Sequence, residues 1–318
     1  MKPRFSLQEV ARMTGVERRE IMELERTGLL PAARRDRANH RFYDFDEARR
    51  LVTRFRGNLS RGIAVVNQKG GVGKTTTVFN LAGAFAGRGR RVLAIDLDPQ
   101  ASLSFSFGIE PEAGEPTTEE VLAGGVDARD AVRATHIPGI DLLPASMRLA
   151  GVDARIAAVV APQTLLRRKL EPLRAAYDIL LLDCPPNLNL VTVNALVACE
   201  EALVPIEAQA YSIKAISDLS KTLAVIQDRT AQRIEMRVLP TKIDARIKIC
   251  AEILEAVRAW LQDRVLPPVR TDAQLMRAVL RREPVSLSFP ASKGARDYGR
   301  LADFLLEAQP QPPVRSRG

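Results

Sequence analysis

Apolar positions repeat with two rhythms along the 318 residues, and the rhythm changes near residue 62. In the front stretch, SLQEVARM places Leu7, Val10, Ala11 and Met13 at helical spacing, and Ser6 with Glu9 forms an S-x-x-E capping box. Gly15 fits the left-handed residue of a tight turn and Val16 plugs the angle between helices. A second helix runs from about Glu17 to Arg26, ending at Thr27-Gly28 before Pro31. Phe42, Tyr43 and Phe45 mark a small β-wing, and Asp44 or Asp46 caps a third helix through EARRLVTRF. Beyond residue 62, apolar runs (IAVV, VLAID, ILLLD, LVPIE) alternate with amphipathic stretches such as KAISDLSKTLAVIQD and KICAEILEAVRAWLQD. This alternation predicts an α/β fold, a doubly wound and mostly parallel sheet, preceded by a small winged helix-turn-helix domain. The expected organisation is a helix-turn-helix domain over 1–56, a linker over 57–61, an α/β domain over 62–308 and a flexible, proline-rich tail over 309–318.

Composition narrows the class. Hydrophobic residues make up 46% of the chain, which suits a globular protein with a sizeable core. No stretch approaches the length of a membrane span, and the N-terminus MKPRFSLQEVARM lacks the apolar core and cleavage site of a signal peptide. A cytoplasmic protein without membrane contact is expected. Cys184, Cys199 and Cys250 lie far apart, and with only His40 and His136 beside them they offer neither metal-ligand spacing nor a disulfide framework. Each is expected to be a small buried apolar residue. Lys and Arg (47) exceed Asp and Glu (38), and the excess is uneven, with 15 basic against 9 acidic residues over 1–61. A basic front end is what a phosphate-contacting module needs, although charge alone does not separate it from a solvated face.

The segments ERTGLLPAARR and NHRFYDFDE follow the helix-turn-helix in an order that resembles the MerR-type winged helix. The resemblance covers about 55 residues. It implies that Arg18 and Arg19, at the start of the second helix, face the major groove of DNA, while Arg34, Arg35, Arg37 and Arg41 of the wing contact backbone phosphates. MerR proteins continue into a long dimerisation helix. Here RGNLSRG leads straight into a new strand, so any dimer must come from the second domain.

The second domain opens with IAVVNQKGGVGKTTT, a β-branched run, a glycine-rich turn, and a lysine and threonines at the start of a helix. That is the strand-loop-helix context of a P-loop. Gly70, Gly71 and Gly73 let backbone N–H groups around Val72 point at phosphates, Lys74 sits between the β- and γ-phosphates, and Thr75, followed by Thr76, gives its hydroxyl to Mg²⁺. Further on, RVLAIDLDPQ and YDILLLDCPP are buried strands ending in Asp96 and Asp98, and in Asp183, at the ligand-facing edge of the sheet.

The K-GGVG-KTT form, with Lys69 in place of the usual first glycine, identifies a deviant Walker A loop, and from Gly62 to Glu307 the chain resembles the ParA (Soj) and MinD ATPases. Further landmarks are IDLLPA (from Ile140), LVPIE (from Leu203), VLPTKIDAR (from Val238) and PASKGARDY (from Pro290). The resemblance implies that Lys69 crosses to the nucleotide of a second subunit in a homodimer, that Asp96 supports the Mg²⁺ shell with Asp183, and that Asp98 positions the attacking water. It places Thr241 and Asp272 at the adenine, and DNA contacts at Arg246, with Arg270 and Arg277 near a second position where Gln274 replaces the expected arginine.

The function expected from the resemblance is an ATP-dependent DNA segregation ATPase with Mg²⁺-ATP as cofactor. It would dimerise on ATP, associate with the nucleoid through DNA, and be switched off by a ParB-like partner, with autorepression through the front domain. The alternatives are an ATP-switched transcriptional regulator and a MinD- or ParA-like ATPase that positions a protein cargo.

Overall fold

The computed structural model describes residues 4–30, 32–36, 39–56, 60–209, 211–244 and 246–307. The wing residue Arg37, most of the linker and the tail lie outside these.

The front module comprises β1 (Arg4–Ser6), α1 (Leu7–Thr14), α2 (Arg18–Arg26), β2 (Arg34–Arg35), β3 (Arg41–Asp44) and α3 (Phe45–Arg56). The capping box forms as its spacing requires: the Ser6 hydroxyl accepts from the Glu9 N–H, and Glu9 Oε2 accepts from the Ser6 N–H at 2.7 Å. Gly15 turns the chain in the left-handed region at φ +73°. Of the two capping aspartates, Asp44 is the one used, since its Oδ1 accepts the Glu47 N–H at 2.9 Å. The three strands form an antiparallel sheet in the order β1-β3-β2. Phe5, Val10, Ile21, Leu24, Leu30, Tyr43, Phe45 and Leu51 close a core of their own beneath it.

The second domain runs through β4 (Arg61–Val65), α4 (Lys74–Ala86), β5 (Val92–Asp96), α5 (Ser102–Ser106), α6 (Thr118–Leu122), α7 (Ala128–Ala131), β6 (Arg133–Ala134), β7 (Ile140–Leu143), α8 (Val152–Ala157), α9 (Leu165–Leu170) and β8 (Ile179–Asp183). It continues through α10 (Leu190–Val197), β9 (Glu201–Glu207), α11 (Ser212–Thr230), β10 (Glu235–Thr241), α12 (Lys248–Leu261), α13 (Gln274–Leu280), α14 (Val285–Ser288) and α15 (Lys293–Glu307). The seven strands lie in the order β10-β9-β4-β8-β5-β7-β6. All neighbours are parallel except β6, which pairs antiparallel with β7 at the edge and had no counterpart in the sequence reading. The expected doubly wound sheet is therefore present.

Alternate residues of each strand serve opposite faces, as the pleat dictates. Ile63, Val65, Val92, Ala94, Ile179 and Leu181 pack with α4 and α15, while Ala64, Leu93, Ile95, Leu180 and Leu182 face the helices on the other side. Both faces are covered, which is why these strands read as continuous apolar runs. Each fully buried aliphatic side chain contributes about 1.5–3 kcal/mol.

The first strand starts at Arg61, inside the expected linker, because Arg61 pairs in register with Ile179 and its guanidinium is bound. It pairs with the buried Glu201, which also faces Arg237 at 3.3 Å, and donates to the Leu305 carbonyl at 2.6 Å. Cys184 and Cys199 are buried as expected, and Cys250 is half-buried. Among the described residues, no helix is long and apolar enough to cross a membrane.

Candidate functional site

β4 carries the chain to the carboxyl edge of the sheet, where residues 66–73 turn it into α4. Asn67 shapes the turn: its Nδ2 donates to the Pro205 carbonyl at 2.6 Å and its Oδ1 accepts the Lys69 N–H at 2.9 Å. Gly71 and Gly73 take φ of +76° and +96°, a region that L side chains rarely adopt. A Cβ built on Gly70, Gly71 or Gly73 meets no atom within 4 Å, so the loop wraps open space with its backbone. No side chain caps α4, which leaves its N-terminal N–H groups and partial positive charge to an anion.

Two side chains fasten the loop from β10. The Thr241 hydroxyl, buried, points at the carbonyls of Val72 (2.8 Å) and Ile206 (3.0 Å), and Lys242 Nζ donates to the Gly71 carbonyl at 2.6 Å. Lys242 reaches that position in the left-handed region, at φ +53°. Thr241, expected at the adenine, is instead committed to holding the P-loop, because its hydroxyl lies beneath the loop and out of solvent.

Lys74 is buried at the first position of α4, with Nζ 3.3 Å from the Lys69 carbonyl. Burial lowers its ammonium from the ordinary value, against the pull of Asp183 and Asp98. Asp183 is fully buried and neither carboxylate oxygen has a hydrogen-bond partner. Burial, and then the Asp96 carboxylate, raise it well above the usual range, opposed by the Thr75 hydroxyl and the Lys74 ammonium. Asp96 differs, since its oxygens accept from the Ser104 N–H (2.9 Å), the Ser104 hydroxyl (2.7 Å) and the Asp98 N–H (3.1 Å). Asp98 lies partly exposed on the following turn, its Oδ1 accepting the Gln100 N–H at 2.9 Å.

These residues fit a divalent cation. An unpartnered, fully buried carboxylate is costly unless something of opposite charge meets it. No cluster of three or more His, Cys, Asp or Glu among the described residues forms a cage. One carboxylate beside a threonine hydroxyl at a phosphate loop is the sparse donor set that suits Mg²⁺, which keeps several waters and takes phosphate oxygens. Asp183 and Thr75 could hold such an ion, whereas the Asp96 oxygens already accept from Ser104.

Lys69 stands on the exposed crest of the loop. Its Nζ donates to Glu207 Oε2 at 2.9 Å and to Gln209 Oε1 at 2.6 Å, and the other oxygen of Glu207 takes Lys242 at 2.7 Å. One carboxylate thus holds both lysines, and hydrogen bonds from Lys242 and then Lys69 hold its carboxyl below the ordinary carboxylate range, favouring the ionised form.

Comparison with known proteins agrees with this geometry. Residues 60–236 match the family described as an AAA domain, and residues 5–54 match the MerR HTH family of regulatory proteins. The chain is 35% identical to the sporulation initiation inhibitor protein Soj of Bacillus subtilis, over 77% of this chain and 97% of that protein. It is 35% identical to the chromosome partitioning protein ParA of Caulobacter vibrioides, over 79% and 96%. The chain belongs to the ParA/Soj family. A solved structure of similar fold, titled cobyrinic acid a,c-diamide synthase from Mycobacterium smegmatis with bound ADP and magnesium, superposes with a TM-score of 0.69 at 32% identity. It covers 81% of this chain and all of that one. This ParA-type ATPase carries its MerR-type module at the front.

The remaining expected residues fall into four groups. Arg18 and Arg19 are exposed on the first turn of α2, and Arg277 is exposed on α13. Arg246 is 89% exposed beside Asp244 on its own loop at 2.6 Å. Arg35 holds the wing turn through Asn39 (Oδ1 at 2.9 Å), and Arg34 bridges Asp44 and Glu47 while staying 58% exposed. Two expected DNA contacts are structural braces instead. Arg41 binds the buried Glu25 at 2.7 Å, where Tyr43 Oη also donates at 2.6 Å. Arg270 chelates the buried Asp297 at 2.7 and 2.9 Å. Both are tied up because their carboxylate partners are removed from water. Asp272 lines a cleft with Thr271, Phe289, Pro290, Lys293 and Arg296, but its own oxygens accept the Gln274 and Gly294 N–H groups at the starts of α13 and α15.

Ser104, Glu207, Gln209 and Lys242 were not singled out from the sequence. Only the LVPIE and VLPTKIDAR landmarks pointed to the segments of Glu207 and Lys242, which the pairing of β9 with β10 brings to the loop, whereas Ser104 reaches Asp96 from α5.

Proposed function

We propose that this chain is a DNA partition ATPase that binds Mg²⁺-ATP at Lys69–Thr76, closes into a homodimer through the P-loop edge, and in that state binds DNA. The observation that carries the reading is the unpartnered, buried Asp183 beside Thr75 and Lys74 in an open phosphate cradle. Thr75 and Asp183 would hold Mg²⁺, which would supply neutralisation of phosphate charge when bound. The chain's own part is positioning. Backbone N–H groups of Gly70 to Gly73 and the start of α4 orient the phosphates, and Lys74 places its ammonium against them. The Asp98 carboxylate accepts a hydrogen bond from the attacking water and holds it in line. Lys69 leaves Glu207 and Gln209 to meet the γ-phosphate of the partner subunit, so that hydrolysis and dimer lifetime are linked.

Exposed Arg246 and Arg277 supply phosphate contacts from the core, and Arg18 and Arg19 supply them from the front module. A ParB-like partner stimulates hydrolysis and releases the DNA, and the front module adds binding to an operator and so autorepression. The cleft at Asp272 receives the adenine.

ATP turnover by the full chain, measured alone, with DNA, and with DNA plus the ParB-like protein encoded nearest to it, tests the reading. Slow basal turnover that rises only with DNA and partner together supports it. Turnover indifferent to both, with promoter-selective binding whatever the nucleotide, favours an ATP-switched regulator.

A further inference from the structure

The front module is held on the opposite side of the molecule from the nucleotide. Six strands are parallel, so their amino ends share one edge and the P-loop, Asp98 and Asp183 share the other. α3 ends at Arg56 and β4 starts at Arg61, so the connection spans at most about 18 Å even when extended. The module therefore stays at the amino edge. It is also docked there. Met13 Cε meets Gly89 before β5, and the ring of Phe45 lies against Gly139 before β7, where an added Cβ would be 2.2 and 2.3 Å away. Arg49, on α3, donates to the Ala176 carbonyl at 3.3 Å and faces the buried Asp178 at 3.7 Å, both before β8.

Docking leaves α2 uncovered. It buries Ile21 and Leu24 in the module's own core and exposes Arg18, Arg19, Met22, Glu23 and Arg26. Nor is there a dimerisation helix among the described residues of the module, since α3 ends at Arg56 and β4 starts at Arg61. Each chain thus presents a single exposed α2, on a module docked at the sheet edge opposite the phosphate loop.

We propose that the ATP-closed dimer is a two-headed DNA bridge, in which nucleotide sets how many heads act together. This rests on the dimer and DNA binding proposed above. Closure through the P-loop edge puts the two modules at opposite poles, each about a full sheet depth from the contact plane. Linked binding sites gain avidity only when the linkage lets both engage the same target. Two heads pointing apart cannot share one short duplex, so the second head is free to take another.

The test uses two short random-sequence duplexes at low salt, one immobilised and one fluorescent, with the full-length protein and ATP or ADP. Light scattering on the same samples reports the dimer. ATP is expected to produce capture of the fluorescent duplex, ADP almost none, and Arg18→Ala/Arg19→Ala to lower capture roughly tenfold or more at equal dimer content. Retention on the immobilised duplex without capture of the second would overturn the bridge alone. Undiminished capture by the double-alanine protein would also overturn it, by assigning bridging to the core. Capture equal in ADP and ATP would overturn control by nucleotide, and retention on neither duplex would overturn the DNA-binding reading as well.

Discussion

Lys69 and Glu207 form an ion pair at 2.9 Å that joins the crest of the P-loop to the end of β9, and Glu207 holds Lys242 at the same time. Lys69 is therefore turned back onto its own subunit. Lys69 is half exposed, and such a pair is worth little in isolation, so nucleotide can displace it readily.

Glu207→Gln is expected to free Lys69. Amine-reactive labelling of Lys69 in the nucleotide-free protein, read by mass spectrometry against the buried Lys74, should rise roughly two- to fivefold. The ATP concentration for half-maximal dimerisation should fall by a similar factor. Unchanged labelling of Lys69 would show that the pair does not restrain it.

Thr241→Val removes the hydroxyl beneath Val72 while keeping the shape of the side chain. Loss of a buried hydrogen bond of about 1–1.5 kcal/mol should weaken ATP binding roughly five- to tenfold, with the turnover number less affected. If KM for ATP stayed at the wild-type value, Thr241 would have no part in shaping the loop.

Asp183 sets an unusual dependence on pH. Burial raises its carboxyl in the folded chain, so its contribution to stability is fullest below the ordinary carboxylate range and is lost as pH rises through the raised folded-state value. Asp183→Asn is therefore expected to raise the melting temperature of the protein free of nucleotide and Mg²⁺ by an amount that grows as pH increases. Each tenfold displacement of the ionisation equilibrium is worth about 1.4 kcal/mol. The same substitution should abolish stabilisation by Mg²⁺-ATP. A melting temperature whose difference from wild type does not grow with pH would contradict the reading of Asp183 as a carboxyl destabilised by burial.

Gly139→Ala addresses the docking of the front module. Gly139 has φ +86°, and the new methyl would lie 2.3 Å from the ring of Phe45, so a cost of about 1–3 kcal/mol is expected, with earlier proteolysis of the module. In a Phe45→Ala background the same change should cost measurably less, because the ring is gone. Equal costs in the two backgrounds would show that the contact is not formed in solution.

Much of the fold could be read from periodicity, because both faces of the parallel sheet are covered and its strands are short, unbroken apolar runs. The capping box at Ser6 and the turn at Gly15 were equally legible, being local chemistry. Where the reading failed, the deciding contact was distant in sequence. Arg41 meets Glu25 sixteen residues away, Arg270 meets Asp297, and Thr241 meets Val72 across the sheet. No local pattern tells an arginine that faces phosphate from one that neutralises a buried carboxylate. The P-loop glycines and Asp183 were visible because their chemistry is written in consecutive residues. The clamp at Glu207 was not, because it exists only once β9 and β10 lie beside the loop.

Binding of the full-length protein to random-sequence DNA, compared with ATP, with ADP and without nucleotide, and repeated with Lys74→Ala, tests the central claim most directly. The account predicts binding that is strong only with ATP and lost in Lys74→Ala, because the DNA-binding form is the nucleotide-closed dimer. Equal binding under all three conditions, retained by Lys74→Ala, would contradict it.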